Sequence, residues 1–268
     1  MSFEEPILDL WIFKLGVFDV SVLLAVAMSF VLFGSILMSP LFLQELMGYS
    51  AWRAGLIQAP RGLGSMFSMM MMGQLARAGV NTRPFVGLGF GLVAFSEWII
   101  AGWDLQVGAW SVIWPGVVMA LGFGLIFPNT SAAALSCVVP QRIGYASSLF
   151  NMIRNTGAAI GIAYMTNSLL SRQQIHQSRL VEHFSIFNAW KLHDLGARLP
   201  GSPSFQFLPQ MAGGGHQQLG MVYGLVQAQS AMMSFNDIYR IIAIALIPLI
   251  PLFLFLPSPK SQAAAPAH

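Results

Sequence analysis

Six stretches of this chain are apolar for long enough to cross a lipid bilayer, and nothing else in the sequence restricts its fold as strongly. They run over residues 17–38, 54–75, 85–101, 110–127, 146–170 and 238–256. A hydrocarbon core about 30 Å thick needs roughly 20 mostly apolar residues at a helical rise of about 1.5 Å each. Composition agrees, with 56% hydrophobic and only 9% charged residues, against roughly 25% charged in soluble domains. The expectation is an all-α integral membrane protein with six transmembrane helices. Residues 1–16 would form a cytoplasmic juxtamembrane segment, 17–256 the membrane domain with a long extracytoplasmic loop at about 171–237, whose last part "HQQLGMVYGLVQAQSAMMSFND" turns helical again, along the interface or as an outward continuation of the sixth helix, and 257–268 a cytoplasmic tail.

Charge placement sets the orientation. The net charge of +3 matters less than where Lys and Arg fall in short loops. Lys14, Arg77, Arg83, Arg142 and Lys260 all fall on one side, while the short loops 39–50 and 102–109 hold no Lys or Arg. Both termini are therefore expected inside the plasma (inner) membrane of the cell. The first run follows the acidic "FEEPILD" and lacks a small-residue cleavage site, so it reads as a retained helix rather than a signal peptide.

Catalytic and metal chemistry find little support. The single cysteine, Cys137, excludes an intrachain disulfide and reads as a small residue near a helix end. The five histidines show no metal-ligand spacing, and the runs hold no Ser/His, paired-Asp or HExxH arrangement. No enzyme, cofactor, metal or nucleic-acid role is expected.

Ionisable residues inside the runs are the candidate functional groups, since each costs about 2.5 to 3.5 kcal/mol at a helix centre and must face water or a partner. Asp19 sits at the surface end of the first run, where solvation suffices. Arg61 follows Pro60 in the second, where its stem could snorkel outward or its head could serve a site. Arg154 lies deepest, some 15 Å into the fifth run at about 1.5 Å per residue. Asn151, Arg154 and Asn155 share one helix face by their i, i+3, i+4 spacing. Gly157 and Gly161 form a G-x-x-x-G pair that admits a close neighbouring helix. Arg154 could equally be a structural tether to carbonyls of another helix. Glu97, in the third run, is one candidate ion-pair partner for it, an acid outside this chain being the other.

Several segments together resemble a known family: "PILDLWIFK", "PLFLQELMGYSAWRAGLIQAPRGLG", "GQLARAGVNTRP", "VPQRIGYASSLFNMIRNTGAAIG" and "MMSFNDIYR". From Pro6 to Arg240 they are similar to the C-terminal half of the fourteen-helix drug:proton antiporters of the EmrB/QacA type, within the major facilitator superfamily. Gly73, Leu75, Arg77, Gly79 and Arg83 stand where that superfamily has a G-x-L-a-D-r-x-G-r cytoplasmic loop, with Ala76 or Arg77 at the acidic position. The resemblance implies one six-helix half-bundle, with the substrate cavity lying between two halves. Ser29, Gly34, Ser35, Met119 and Phe123 would line this half's share. It implies multidrug or small-molecule efflux by proton antiport when complete, and an amphipathic or cationic substrate. It also implies an N-terminal transporter half as partner, the chain being a truncated or split reading frame or a true subunit. A different class, a non-transporting membrane scaffold that binds another membrane protein, is the alternative.

Overall fold

In the computed structural model, which describes residues 16–136, 138–183 and 215–255, the chain is drawn into long helices joined by short turns. Helix α1 spans Gly16–Leu41 and runs on through a π-helical turn, Phe42–Leu46; α2 is Ala51–Arg77, α3 Arg83–Ile100 and α4 Ala109–Ser136. A 3-10 turn at Pro140–Arg142 leads into α5, Ile143–His183. Helix α6, Gly215–Leu246, tightens into a 3-10 segment over Ile247–Phe255. The juxtamembrane residues 1–15, Cys137, the middle of the expected loop at 184–214 and the tail lie outside the described residues.

Local chemistry explains the boundaries. Ser50 caps α2 by accepting from the Arg53 backbone N–H. Gly79 closes the same helix with φ +71, a conformation that costs a residue with a side chain. Its N–H donates to the Ala76 carbonyl while Val80 N–H donates to Leu75. Pro84 stands in the first turn of α3, where a missing N–H costs nothing, and Asn81 accepts from Arg83 N–H just before it. The π-helical turn follows directly on Pro40, and the 3-10 segment contains Pro251; both are places where proline withholds a ladder donor.

Glycines set the helix pairs. A Cβ on Gly157 would press on Val26, one on Gly161 would run into the Phe30 backbone, and Met165 fills the space beside Gly34. These contacts advance in step along both chains, so α1 and α5 run parallel in close contact, as the G-x-x-x-G spacing suggests. Helices α2 and α4 are also parallel, with Arg61 against Gly116, Gly64 against Val117 and Ala120, and Ser68 against Gly124. Helices α3 and α4 are antiparallel: Gly89 meets Gly122 and Ile126, and farther on the Ser96 hydroxyl donates to the Pro115 carbonyl at 2.6 Å. At one end of the bundle Phe42 packs against Trp103 with centroids 5.2 Å apart and edge-on against Phe235 at 5.8 Å. Asn236 donates to the Trp103 carbonyl at 2.8 Å beside them.

No strand occurs among the described residues. The outside of the bundle is apolar, with Leu23, Trp52, Leu63, Met66, Phe67 and Trp110 exposed, which suits a lipid solvent and not water. By length and apolar composition alone, four segments can cross a membrane: Asp19–Leu46, Arg83–Ile100, Ala109–Ser136 and Val226–Leu252. Helices α2 and α5 are long enough but more polar, carrying Arg53, Arg61 and Arg77 in the one and Asn151, Arg154, Asn155 and Arg172 in the other. Among the described residues there are six long helices, of which four qualify as spans on hydropathy, so the expected count of six spans holds only approximately.

The loop expected at 171–237 is largely helix where it is described. Helix α5 continues to His183, for a length of about 60 Å at about 1.5 Å per residue, and residues 215–237 belong to α6. The stretch "SRQQIHQSRLVEH" is polar yet has no Gly or Pro to stop a helix. Arg172 and His176 both reach Asp237 of α6, at 2.8 and 2.9 Å, and tie the two extensions together.

Candidate functional site

A groove of about 330 Å³ opens between α1, α2 and α4. Each helix contributes a stripe with a spacing of four: Met28, Leu32 and Ile36 from α1, Arg61, Ser65 and Met69 from α2, and Met119, Phe123 and Phe127 from α4. Residues four apart share a helix face, so each stripe is a single wall. Gly62 and Ala120 keep the floor low. The walls are soft and apolar, built largely from methionine and phenylalanine, which adapt to varied ligand shapes. Ser65 spends its hydroxyl on the Gly62 carbonyl of its own helix. Among the described lining residues Arg61 alone carries a charge.

Behind Arg61 lies a buried polar cluster. Its stem crosses α4 at Gly116, where even a methyl group would collide with the guanidinium Nε. One residue back, the Pro115 carbonyl accepts from Ser96, and next to Ser96 is Glu97, which is 0% exposed. The Ser35 hydroxyl of α1 donates to Glu97 Oε1 at 2.7 Å, while Oε2 is buried with no hydrogen-bond partner. Arg61 from α2 and Tyr239 from α6 act on Glu97 electrostatically. Four helices therefore converge on one carboxyl group.

The residues singled out from the sequence fall into three places. Met119 and Phe123 line the groove. Ser29 and Ser35 do not; they are 2% and 1% exposed, and Ser35 serves Glu97 instead. Arg154 is half-buried with its guanidinium 5.0 Å from the centre of the Phe127 ring, a cation–π contact at the edge of the groove, and its Nε has no partner. Asn151 turns back to the Ser147 carbonyl of its own helix at 2.9 Å, and Asn155 is exposed. Among the described residues Glu97 is not bonded to Arg154. The reason is geometric: α3 packs on α4 and α6 with Glu97 near its end, whereas Arg154 sits on α5 beside α1 and Phe127. Gly73 and Arg77 are exposed at the end of α2, Gly79 makes the turn, and Arg83 is half-buried with an unpartnered Nε.

Beyond Met119 and Phe123, the sequence left the apolar lining residues Met28, Leu32, Ile36, Met69 and Phe127 unassigned, because an apolar residue facing a cavity and one facing lipid have the same composition. The spacing of four shared by all three stripes was the available signal. The ion-paired cluster of Arg172, His176 and Asp237 also went unread, since it joins helices through residues far apart in the chain.

Comparison with known proteins extends the picture. Residues 3–162 match the profile of the Major Facilitator Superfamily. The chain is 26% identical over 266 residues to the fatty acid resistance protein FarB of Neisseria gonorrhoeae, covering 99% of this chain and 50% of that protein. It is 29% identical over 187 residues to the multidrug export protein EmrB of Escherichia coli (strain K12), covering 69% of this chain and 36% of that one. With the colistin resistance protein EmrB of Acinetobacter baumannii it shares 26% identity over 247 residues, 90% of this chain and 46% of the relative. The chain thus spans about half or less of the length of these relatives. Among solved structures, a bacterial homologue of the human drug peptide transporters PepT1 and PepT2 matches 85% of this chain and 52% of its own, with a TM-score of 0.53 at 16% identity. That likeness concerns the fold.

Proposed function

Since the chain belongs to the major facilitator superfamily, we propose that it works as the C-terminal half of a membrane efflux transporter, the groove between α1, α2 and α4 being its share of the substrate path. The observation that carries this reading is the groove itself, an apolar recess with a single charge, flanked by the two most polar helices of the bundle. In this superfamily two halves rock against each other around a site between them. The polar helices α2 and α5 would face the other half, and Arg154 would stand at that junction.

The relatives' names, a fatty acid resistance protein and a multidrug export protein, support export of small molecules, and the placement of Lys and Arg in the short loops supports a plasma (inner) membrane orientation with both termini of this chain inside. Proton antiport would drive it, with Gly73, Arg77, Gly79 and Arg83 as the cytoplasmic turn. A cationic substrate fits this half poorly, because Arg61 would repel it. An N-terminal half is the proposed partner. Expressed in an efflux-deficient host together with such a half, the chain should extrude a dye that it cannot extrude alone. Resistance conferred by the chain alone would contradict the assignment.

A further inference from the structure

Between α1, α3 and α6, four buried polar atoms have no hydrogen-bond partner among the described residues: Glu97 Oε2, Ser39 Oγ, Trp103 Nε1 and Asn236 Oδ1. Contacts among the three helices bring them into one column. Ser35 bonds Glu97 at the deep end, with Tyr239 near enough to act on the same carboxyl group. Ser39 lies one turn farther along α1 on the same face, and Phe42 after it packs on Trp103. Asn236, one turn before Tyr239 on α6, donates to the Trp103 carbonyl. From the level of Ser35 to that of Ser39 is about 6 Å at about 1.5 Å per residue, the span of two hydrogen bonds of about 2.8 Å in line. Asn236 is half-buried, so the column reaches the surface beside it.

Left alone, each such atom costs about 1–3 kcal/mol, and folded proteins satisfy nearly all of them, with water where side chains do not reach. The four atoms suit water. The indole N–H only donates, the amide oxygen only accepts, and the Ser39 hydroxyl does both. A water at the surface end can take the indole hydrogen and give one of its own to Asn236, and a second can join Ser39 to Glu97. Oε2 accepts when Glu97 is ionised and can donate when it is protonated, so this end of the file can receive or return a proton.

Few charged or titratable groups surround the column. Arg61 faces Glu97 from α2 and Tyr239 faces it from α6, while α4 and the 3-10 segment at 247–255 contain no Asp, Glu, Lys, Arg or His. At the surface end Glu45 and Asp104 are exposed, and Asp237 is held by Arg172 and His176.

We propose that this column is a water-mediated proton path joining Glu97 to the surface at Trp103 and Asn236, separate from the substrate groove. A solvent proton forms a new O–H bond on the first water, which passes a different proton inward. The last hop forms the O–H bond of a neutral Glu97 carboxyl group. One proton leaves solvent, one carboxylate is neutralised, and the waters are unchanged. On the orientation proposed above that surface is the outer one, so the path admits protons against the direction of export, as antiport requires. Only this sidedness rests on that reading.

The test uses infrared spectra of the full chain in nanodiscs, where a protonated carboxyl group has a C=O band apart from any ionised one. Such a band present in the parent and missing in Glu97→Gln belongs to Glu97, and its shift on rapid transfer to D2O times exchange with solvent. Ser39→Val should slow that exchange about tenfold or more, by breaking one link of a hydrogen-bonded file. Ser39→Thr, of the same shape but with the hydroxyl kept, should stay near the parent rate. Trp103→Phe should slow exchange as well, and thermal unfolding shows that each variant is folded. Exchange as fast in Ser39→Val and Trp103→Phe as in the parent overturns the path. So does slowing by Ser65→Val in the groove without slowing by Ser39→Val, which would mean that Glu97 is served from the groove. Absence of a Glu97 band down to the lowest pH at which the chain stays folded overturns it too. The side is fixed independently by Asp104→Cys in a cysteine-free chain, treated on intact cells with an impermeant thiol reagent. Labelling supports the outer mouth, and labelling only after the cells are opened refutes the orientation while the path stands.

Discussion

Ser35 on α1 donates a 2.7 Å hydrogen bond to Glu97 on α3, a residue 62 positions away and wholly buried. The bond satisfies half of a group whose other oxygen stays unpartnered. Removing a donor from a buried acceptor leaves its desolvation unrepaid, at about 1–3 kcal/mol. Ser35→Ala should therefore lower the unfolding temperature in detergent, and adding Glu97→Leu should restore much of the loss, because apolar packing often replaces buried polar groups without cost. A Ser35→Ala variant as stable as the parent would show that this bond is not made.

The α1–α5 contact predicts a contrast between two glycines. Gly161 faces the Phe30 backbone, which cannot give way, while Gly73 has nothing within 4 Å of the place where a Cβ would stand. Gly161→Ala should destabilise the bundle by about 1–3 kcal/mol, the range for overpacking. Gly73→Ala should be neutral or mildly stabilising. Comparison of their thermal unfolding under one condition decides it.

Arg172 and Asp237 join the extensions of α5 and α6 at 2.8 Å with their side chains 36% and 33% exposed. At such exposure an ion pair contributes only about 0.2–1 kcal/mol. A double-mutant cycle with Arg172→Gln and Asp237→Asn should return a coupling in that range. A coupling of zero would mean that the Arg172–Asp237 pair does not hold the two helices together.

Arg154 contacts the Phe127 ring at the groove's edge, an interaction of about 0.5–1 kcal/mol where exposed. In the paired transporter Arg154→Ala should cut dye extrusion several-fold while shifting the unfolding temperature little. Equal extrusion by variant and parent would remove Arg154 from the transport path.

The helices, and the close approach of some neighbour to the fifth of them, were legible in the sequence because they rest on local chemistry. Gly79, Pro84 and Asn81 announce a turn wherever they occur together, and Gly157 with Gly161 announces a tight helix contact. The overrun of α5 was not legible, because apolarity marks where a helix meets lipid and not where its backbone bonding stops. Glu97 and Arg154 were matched by depth alone, and depth does not tell which way a side chain points around its helix. Ser35 shows the same limit from the other side: it was placed in the cavity wall by its position on the first helix, yet it faces the interior and holds Glu97.

The central claim is that the α1–α2–α4 groove is a solvent-reachable cavity inside an otherwise lipid-facing bundle. Cys137 is the only cysteine in the chain, so one substitution gives a cysteine-free background in which Ser65→Cys, in the groove, can be compared with Leu88→Cys, on the exposed apolar face of α3. With a charged, membrane-impermeant thiol reagent applied to membranes, Ser65→Cys should be labelled, an amphiphilic anion should slow that labelling, and Leu88→Cys should stay unlabelled. Labelling of Leu88→Cys with none at Ser65→Cys would contradict the account.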